Sequence, residues 1–263
     1  MAALVAFGIL GMPIAPGAAD SGVAPTLVEP KGSPNVVELF TSQSCSSCPP
    51  AEAYLGRLAA RADVIALEYH VDYWNDLVYG LAGKWTDPHS APAYTERQRA
   101  YAARLGNEIG GGVYTPQMVI DGRLQAVGSR ERDVETALKQ ARAAPRLSVR
   151  LATRDGRKTE LRVEGKRALT NGEAEVVLVR FKLREETKIR AGENRGKVAV
   201  NHHIVTGFTK LGPLVLDADP LVFDTDPDPS DGGCAVLVQA RAGGLPGPIL
   251  GAALCPGPGG KAS

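Results

Sequence analysis

The strongest chemical feature of the sequence is a pair of cysteines separated by two residues. Cys45 and Cys48 follow an apolar run at 35–40 and precede Pro49-Pro50, the expected first turn of a helix. A cysteine at a helix N-terminus lies beside free N–H groups and the positive end of the helix dipole, and both lower the pKa of its thiol. The spacing lets the two sulfurs bond. We therefore predict a redox-active disulfide, with Cys45 as the exposed nucleophile and Cys48 as the resolving thiol.

Two other interpretations of this cysteine pair stay open. One is an inert structural disulfide, since a bonded pair need not exchange. The other is a binding module, because two thiolates suit Cu(I) and His70 is available as a third ligand. Neither a second Cys-x-x-Cys motif nor a methionine cluster supports copper. We therefore predict no metal site and no dissociable cofactor.

A proline ahead of a predicted strand adds to the candidate site. Thr115-Pro116 directly precedes the apolar run 117–120, which is typical of a strand. A proline at a strand entry fits a cis peptide. We therefore expect the Thr115–Pro116 peptide bond to be cis.

Four polar and aromatic residues follow one another near the end of the second predicted strand. His70 and Asp72 lie two positions apart, so they share a face at a strand end. Either one can tune Cys45 or form a structural hydrogen bond. Tyr73 and Trp74 come next, and they predict either an aromatic substrate groove beside the thiols or packing within their own domain.

The predicted elements around these residues alternate between strand and helix. Strands at 35–40 and 64–70 flank a helix that begins at Pro49, an order that favours a parallel crossover unit. Asp121-Gly122 is a strong hairpin-turn signal. The remaining elements predicted in this half are a helix at 92–105, strands at 117–120 and 124–127, and a helix at 130–143.

The pattern changes after Pro145. Short stretches of alternating apolar residues are separated by turn signals, which is typical of an antiparallel sandwich or barrel. Cys234 and Cys255 flank the last predicted pair of strands and lack the helix-start context. We predict that they form a structural disulfide, which closes a loop of about 20 residues.

Six motifs together resemble a secreted bacterial family, the one designated domain of unknown function 1223. They are Glu38-Leu39-Phe40-Thr41-Ser42, Cys45-Ser46-Ser47-Cys48-Pro49-Pro50, Tyr69-His70-Val71-Asp72-Tyr73-Trp74, Arg97-Gln98-Arg99-Ala100-Tyr101-Ala102, Tyr114-Thr115-Pro116-Gln117 and Gly192-Glu193-Asn194-Arg195-Gly196-Lys197. The resemblance covers residues 35 to 254. The order of elements up to residue 144 also resembles the thioredoxin fold. These resemblances imply an α/β thioredoxin-like N-terminal domain with a helical insertion, followed by an all-β sandwich-like C-terminal domain. The family's designation implies no activity.

The resemblance implies roles for three residues of the first domain. In the thioredoxin fold the cis-proline faces the cysteine pair and the residue before it pairs with substrate backbone, so Pro116 and Thr115 take these roles. Thioredoxin-like enzymes also carry a buried acid near this point as a proton carrier for the resolving cysteine. Glu38, the single acid in its apolar run, matches it, and a buried carboxyl group exchanges protons near neutral pH. The alternative is that Glu38 points outward from the strand.

The N-terminal residues predict export. An apolar run at 2–12 precedes small residues and a cleavage site after Ala19, as in a signal peptide. The run is too short to span a membrane. The alternative is the frayed N-terminus of a cytosolic protein. We therefore predict a signal peptide at 1–19, a linker at 20–34, domains at 35–144 and 145–263, and a periplasmic or secreted location, where disulfides persist.

Composition limits the classes of partner. The chain has 30 basic and 29 acidic residues, a net charge of +1, so no strong positive field is present to attract nucleic acid. With 44% hydrophobic residues the chain can build a core. We predict an exported thiol–disulfide oxidoreductase that acts on protein or small-molecule thiols, without nucleic acid or a membrane span. The alternative is a copper-binding or non-catalytic binding module.

Overall fold

The computed structural model describes residues 1, 33–106, 112–153, 158–164, 174–214, 221–224 and 232–256. The predicted signal peptide lies outside the described residues apart from residue 1, and so does the predicted linker apart from residues 33 and 34. No helix in the described part of the chain is long and apolar enough to cross a membrane.

Eleven strands and three α-helices make up the described ranges. In chain order they are β1 (Asn35–Thr41), α1 (Pro49–Ala59), β2 (Val64–His70), α2 (Pro92–Leu105), β3 (Gln117–Ile120), β4 (Leu124–Val127), α3 (Glu131–Arg142), β5 (Ser148–Thr153), β6 (Lys158–Glu164), β7 (Ala174–Lys188), β8 (Val198–Pro213), β9 (Leu221–Asp224), β10 (Gly232–Ala242) and β11 (Leu245–Leu254). A short 3-10 turn, Gly80–Ala82, lies between β2 and α2.

The predicted fold class is wrong. Strands from both halves of the chain form one eight-stranded mixed sheet with the order β11-β10-β7-β8-β2-β1-β3-β4. An α/β thioredoxin-like domain followed by a separate β-sandwich does not describe this arrangement. The two halves join where β8 runs parallel to β2, with Ile204 opposite Glu68. Local sequence patterns report strands but not their distant partners, so this junction could not be predicted. The domain boundary at residue 145 stays a prediction.

Several local predictions match the structure. β1 and β2 are parallel neighbours joined through α1, which is the predicted crossover unit. The β3–β4 hairpin turns at Asp121-Gly122, where both residues have positive φ angles of 48° and 56°, the conformation that this dipeptide favours. Gly106 ends α2 with a φ of 74°, as expected for a glycine cap.

The alternation of side chains along β1 gives the sheet two buried faces. Val36 and Phe40 pack with Tyr101 of α2, whereas Val37 and Leu39 pack with apolar residues of α1 and α3. The face that carries α2 continues across the junction, because its cluster also contains residues of β7, β8 and β10. One core therefore spans both halves of the chain.

A second sheet has three antiparallel strands in the order β5-β6-β9. Leu161 of β6 and Phe223 of β9 pack against Val176 and Leu178 of β7. The opposite face of β7 contributes Val177 and other residues to the core cluster beneath α2. β7 is therefore buried on both faces along part of its length, which explains its continuous apolar run.

Candidate functional site

The Cys45–Cys48 disulfide lies in the loop between β1 and α1. The Sγ atoms are bonded and the Cα atoms are 5.4 Å apart. The Cys45 N–H donates to the Ser42 carbonyl at 3.0 Å. Cys48 caps the N-terminus of α1, and its carbonyl accepts the N–H groups of Ala51 and Glu52. The disulfide therefore lies at the positive end of α1, where a thiolate is stabilised.

Both cysteines are completely buried, whereas Ser46 and Ser47 between them are exposed. The prediction that Cys45 is an exposed nucleophile is therefore wrong for the disulfide form. A distant segment of the chain also packs on this loop. A local motif carries no information about such a contact.

This distant segment is the hairpin tip, Gly192–Lys197, between β7 and β8. The Asn194 side-chain amide donates to the carbonyl of Gln43 at 3.0 Å and to that of Cys45 at 2.9 Å. A Glu193 carboxylate oxygen accepts the Ser46 N–H at 2.8 Å. The tip belongs to the Gly-Glu-Asn-Arg-Gly-Lys motif of the sequence, but its contact partner is 149 residues away, so sequence reasoning found the motif without its role.

Glu52 is a buried acid in the first turn of α1. Its Oε1 accepts the Thr41 hydroxyl at 2.7 Å, and 4% of the residue is exposed. Burial raises the pKa of Glu52 to about 8, and the neighbouring Glu68 adds to the effect. Sequence reasoning missed this residue. The available signal was its position four residues after Cys48 and three before Leu55, on the apolar face of the helix.

Three more ionisable side chains extend this group beneath the loop, and we call Glu52, Glu68, His70 and Asp87 the buried polar cluster. His70 Nδ1 is 2.7 Å from Asp87 Oδ2, and its Nε2 is 3.6 Å from Glu68 Oε1. Burial lowers the pKa of His70, but the two carboxylates outweigh burial and hold it well above its usual value. The imidazolium in turn lowers the pKa of Asp87, against the opposing effect of burial.

The buried polar cluster is tied directly to the cysteine loop. Asp87 Oδ2 also accepts the Gln43 N–H at 2.7 Å. The Gln43 side chain donates to Asn201 Oδ1, and the Asn201 amide donates to Glu68. Trp85 Nε1 donates to Gln43 Oε1 at 3.2 Å. Asp87 therefore links the cluster directly to the backbone two residues before Cys45.

Glu38 lies on the other face of the sheet. It shares the α2 face with Val36 and Phe40, whereas α1 packs on the opposite face. Its carboxylate accepts Arg97 Nε at 2.7 Å and the Tyr101 hydroxyl at 2.5 Å. The structure therefore joins Glu38 to α2 and does not bring it to the cysteines. Glu68 is the single acid in the apolar run of β2, as Glu38 is in β1, but Glu68 lies on the face of the sheet that packs against α1.

The Thr115–Pro116 peptide is cis, as the sequence predicts. Gln117, the next residue, lies opposite Phe40 at the end of β1, so Thr115 and Pro116 lie beside the start of the cysteine loop. Gln98, Trp74 and Thr115 surround the Tyr73 hydroxyl and partly offset its burial, which raises the pKa of Tyr73 to about 12. Tyr73 Oη, Trp74 Nε1, Gln98 Oε1 and Thr115 Oγ1 are buried without a hydrogen-bond partner among the described residues.

The other predicted residues have separate surroundings. Asp72 accepts the hydroxyl of Thr95, which lies in the first turn of α2, at 2.5 Å, so it positions α2 rather than His70. Trp74 stacks on Tyr79, with ring centroids 6.5 Å apart. Cys234 and Cys255 are bonded to each other near the start of β10 and the end of β11. Within the described ranges, no group of three His, Cys, Asp or Glu side chains is placed to hold a metal ion.

A family model described as "Protein of unknown function (DUF1223)" matches residues 36–239. The chain belongs to this family. The match extends from β1 to β10, so it includes the cysteine loop, the buried polar cluster and the hairpin tip. No curated protein matches the chain.

Two solved structures resemble this member of the family. A crystal structure of a protein from Agrobacterium tumefaciens is 31% identical in sequence, covers 89% of this chain and 99% of its own, and has a TM-score of 0.68. HBP35 of Porphyromonas gingivalis is 14% identical, with 85% and 74% coverage and a TM-score of 0.58. The second likeness concerns the fold alone.

Proposed function

We propose that this protein is an exported thiol–disulfide oxidoreductase whose Cys45–Cys48 pair exchanges with protein or small-molecule thiols. One observation carries the proposal. The disulfide lies at the N-terminus of α1, and a buried acid with a raised pKa, Glu52, lies in the following turn. The helix end stabilises a thiolate and the acid can move a proton. The two disulfides themselves indicate an oxidising compartment.

The exchange needs two thiols from the partner. A partner thiolate attacks Cys45 Sγ, the Cys45–Cys48 bond breaks, and Cys48 leaves as a thiolate. The second partner thiolate then attacks the partner sulfur of this mixed disulfide and releases the Cys45 thiolate. The partner loses two electrons and becomes a disulfide, while the protein gains them as two thiols. The reverse sequence reduces a partner disulfide.

Glu52 takes the proton role in this proposal. The carboxyl group holds its proton at neutral pH because its pKa is raised to about 8 by burial. It can therefore protonate the Cys48 thiolate that leaves and accept the proton back on reoxidation. Glu38 is not given this role, because its carboxylate is bound to Arg97 and Tyr101 on the other face of the sheet.

The residues beside the loop are proposed to align the partner. Thr115 and Pro116 lie at the end of β1, and the buried polar atoms of Tyr73, Trp74 and Gln98 are grouped with that of Thr115. Buried polar atoms gain free energy from any donor or acceptor that reaches them. A partner polypeptide supplies both kinds of group. His70 acts indirectly in this proposal, through Asp87 and Gln43.

The reduction potential of the Cys45–Cys48 pair tests the proposal. The purified mature protein is equilibrated in glutathione and dithiothreitol buffers, its thiols are trapped, and each disulfide is quantified by mass spectrometry. We expect a value between about −120 and −230 mV, and the Cys45→Ser variant should lose all exchange. The Cys234–Cys255 disulfide in the same sample is the internal control. A value below about −300 mV for Cys45–Cys48 would make the pair structural and refute the proposal.

A further inference from the structure

The hairpin tip makes a complete set of polar contacts with the cysteine loop. Asn194 is 1% exposed, and its amide nitrogen bonds two loop carbonyls, those of Gln43 and Cys45. Its amide oxygen accepts Lys197 Nζ at 2.9 Å, which fixes the amide orientation. The Gly192 N–H donates to the Ala82 carbonyl at 2.9 Å. The tip is therefore anchored both to the cysteine loop and to the 3-10 turn Gly80–Ala82.

Glu193 differs from the other anchors because it carries a charge and remains exposed. Its carboxylate bonds the N–H of Ser46, the residue directly after Cys45. The Ser46 nitrogen is bonded to the Cys45 carbonyl carbon, so covalent geometry keeps this carboxylate within about 7 Å of the Cys45 sulfur. Ser46 precedes Cys48, the N-cap of α1, by two residues, so the carboxylate also lies near the start of that helix.

We infer that the hairpin tip is part of the thiol–disulfide site, with Glu193 setting the stability of the Cys45 thiolate and Asn194 controlling access to the disulfide. This inference rests on the proposed function for its biological meaning, but its chemistry is measurable without it. Neither residue is a catalytic group, since neither touches the reacting sulfur atoms in a described contact. Both act as positioning residues through the loop backbone.

The sign of the Glu193 effect follows from its charge. Reduction creates an anion at Cys45, and a nearby carboxylate disfavours that anion. Glu193 therefore stabilises the disulfide relative to the dithiol. Removing its charge while retaining the hydrogen-bond acceptor, as in Glu193→Gln, should shift the equilibrium towards the dithiol and lower the pKa of the Cys45 thiol.

Other charges near the loop set the background for this effect. On the tip, Arg195 and Lys197 are exposed cations. Lys84, beside Trp85, is paired with Asp76 at 2.7 Å. The charged and titratable groups beneath the loop, on α1, β2 and the segment before α2, are Glu52, Glu68, His70 and Asp87, together with His89, whose ring centroid is 5.2 Å from that of His70. All of them stay unchanged in Glu193→Gln, so the difference from the wild type isolates one carboxylate.

The size of the effect is limited by exposure. One charge about 7 Å from a thiolate, screened by nearby solvent, changes an equilibrium constant by about threefold to tenfold. For a two-electron couple, tenfold corresponds to about 30 mV. The potential of Glu193→Gln should therefore be less negative than that of the wild type by ~15–30 mV.

The access role of Asn194 is tested by the rate at which the Cys45–Cys48 disulfide is reduced, rather than by its reduction potential. Losing both of its hydrogen bonds to the loop carbonyls in Asn194→Ala should favour opening of the tip by roughly tenfold or more. Because both cysteines are fully buried, dithiothreitol should then reduce Cys45–Cys48 faster by the same factor. The Cys234–Cys255 disulfide in the same molecule should keep its wild-type rate.

The experiment measures the potential and the thiol pKa in glutathione and dithiothreitol buffers, and the reduction rate in dithiothreitol, all on the full mature chain. The thiol pKa comes from the pH profile of Cys45 alkylation. Glu164→Gln, which removes an exposed carboxylate from β6, is the matched control and should leave all three values unchanged. The role of Glu193 is refuted if the thiol–disulfide equilibrium constant of Glu193→Gln stays within twofold of the wild-type value. It is also refuted if Glu164→Gln shifts the potential by the same amount.

Folding and function are separated in the same experiment. Glu193 is exposed, so Glu193→Gln should fold and keeps the inference testable even if thermal melting shows that Asn194→Ala is unstable. If Asn194→Ala is stable and its Cys45–Cys48 disulfide is reduced at the wild-type rate, the access role of Asn194 is refuted. A wild-type potential below about −300 mV that still responds to Glu193→Gln refutes the proposed function and leaves the tip inference standing. Normal exchange in the wild type with no response in Glu193→Gln and Asn194→Ala refutes the tip inference alone.

Discussion

The raised pKa of Glu52 makes the stability of the protein depend on pH in a defined direction. In the unfolded chain Glu52 has an ordinary pKa of 4.5, and in the folded protein burial raises this pKa to about 8. Between these values the folded state keeps a proton that the unfolded state releases, so the contribution of Glu52 to stability is complete below pH 4.5 and is lost as the pH rises towards 8. The slope reaches about 1.4 kcal/mol per pH unit only where the unfolded state is ionised and the folded state is protonated, so the loss between pH 5 and pH 8 is about 3–4 kcal/mol.

The Glu52→Gln variant removes this dependence. Glutamine does not titrate, and its Oε1 can still accept the Thr41 hydroxyl that Glu52 accepts at 2.7 Å. The variant should match the wild type near pH 5 and should be more stable by about 3–4 kcal/mol at pH 8. Urea unfolding of the oxidised proteins across this range measures the difference.

A matched substitution controls for the general effect of losing a carboxylate. Glu96 is an exposed residue of α2, and Glu96→Gln should follow the wild-type pH profile. A stability difference between Glu52→Gln and the wild type that stays constant from pH 5 to pH 8, or that shrinks with rising pH, would show that Glu52 is ionised in the folded protein. The proton role proposed for it would then be lost as well.

Three further predictions follow from buried contacts. Arg97→Met leaves the Glu38 carboxylate buried without its partner and should cost about 3–5 kcal/mol in urea unfolding, and adding Glu38→Leu should recover part of that loss. Asp87→Asn removes the carboxylate that holds His70 charged, so the pKa of His70 measured by NMR titration should fall; an unchanged value would contradict the pairing. The Cys234→Ser variant removes the second disulfide, whose cysteines are 21 residues apart in the sequence. It should lower the free energy of unfolding in urea by about 3 kcal/mol and leave the Cys45–Cys48 potential unchanged.

Local structure around the cysteines could be predicted because short-range rules decide it. The first turn of α1 follows from Pro49-Pro50, and the β3–β4 turn follows from Asp121-Gly122. The cis peptide before β3 was also predictable from Thr115-Pro116. Each of these features depends on residues within a few positions of one another.

The fold class could not be predicted, because it depends on a distant strand pair. Within the first 144 residues, β2 pairs only with β1 on one side. In the described structure its other edge pairs with β8, from the second half of the chain. Both β2 and β8 have apolar residues that suit either a separate domain or a shared sheet. The pairing between them is decided by the common core beneath α2, which no local pattern reports.

The face of β1 on which Glu38 lies could not be predicted from the sequence, for a geometric reason. Sequence reasoning selected Glu38 as the single acid in an apolar strand, and the same rule would have selected Glu68 in β2. The face of each strand decides between them, and that face is fixed by where the helices pack. Glu52 lies on the apolar side of α1, and the helical periodicity of the sequence shows this position. That periodicity was a better guide to a buried acid near the cysteines than the single acid in a strand.

The shared sheet also sets an order for assembly. The cysteines and the hairpin tip are separated by 149 residues, so a chain made from its N-terminus presents both thiols long before the segment that covers them exists. Contacts of such sequence separation form late, because their loops are costly to close. Oxidation of Cys45 and Cys48 by a folding catalyst is therefore easiest on the incomplete chain. We therefore expect the disulfide to form before the hairpin tip docks on the loop.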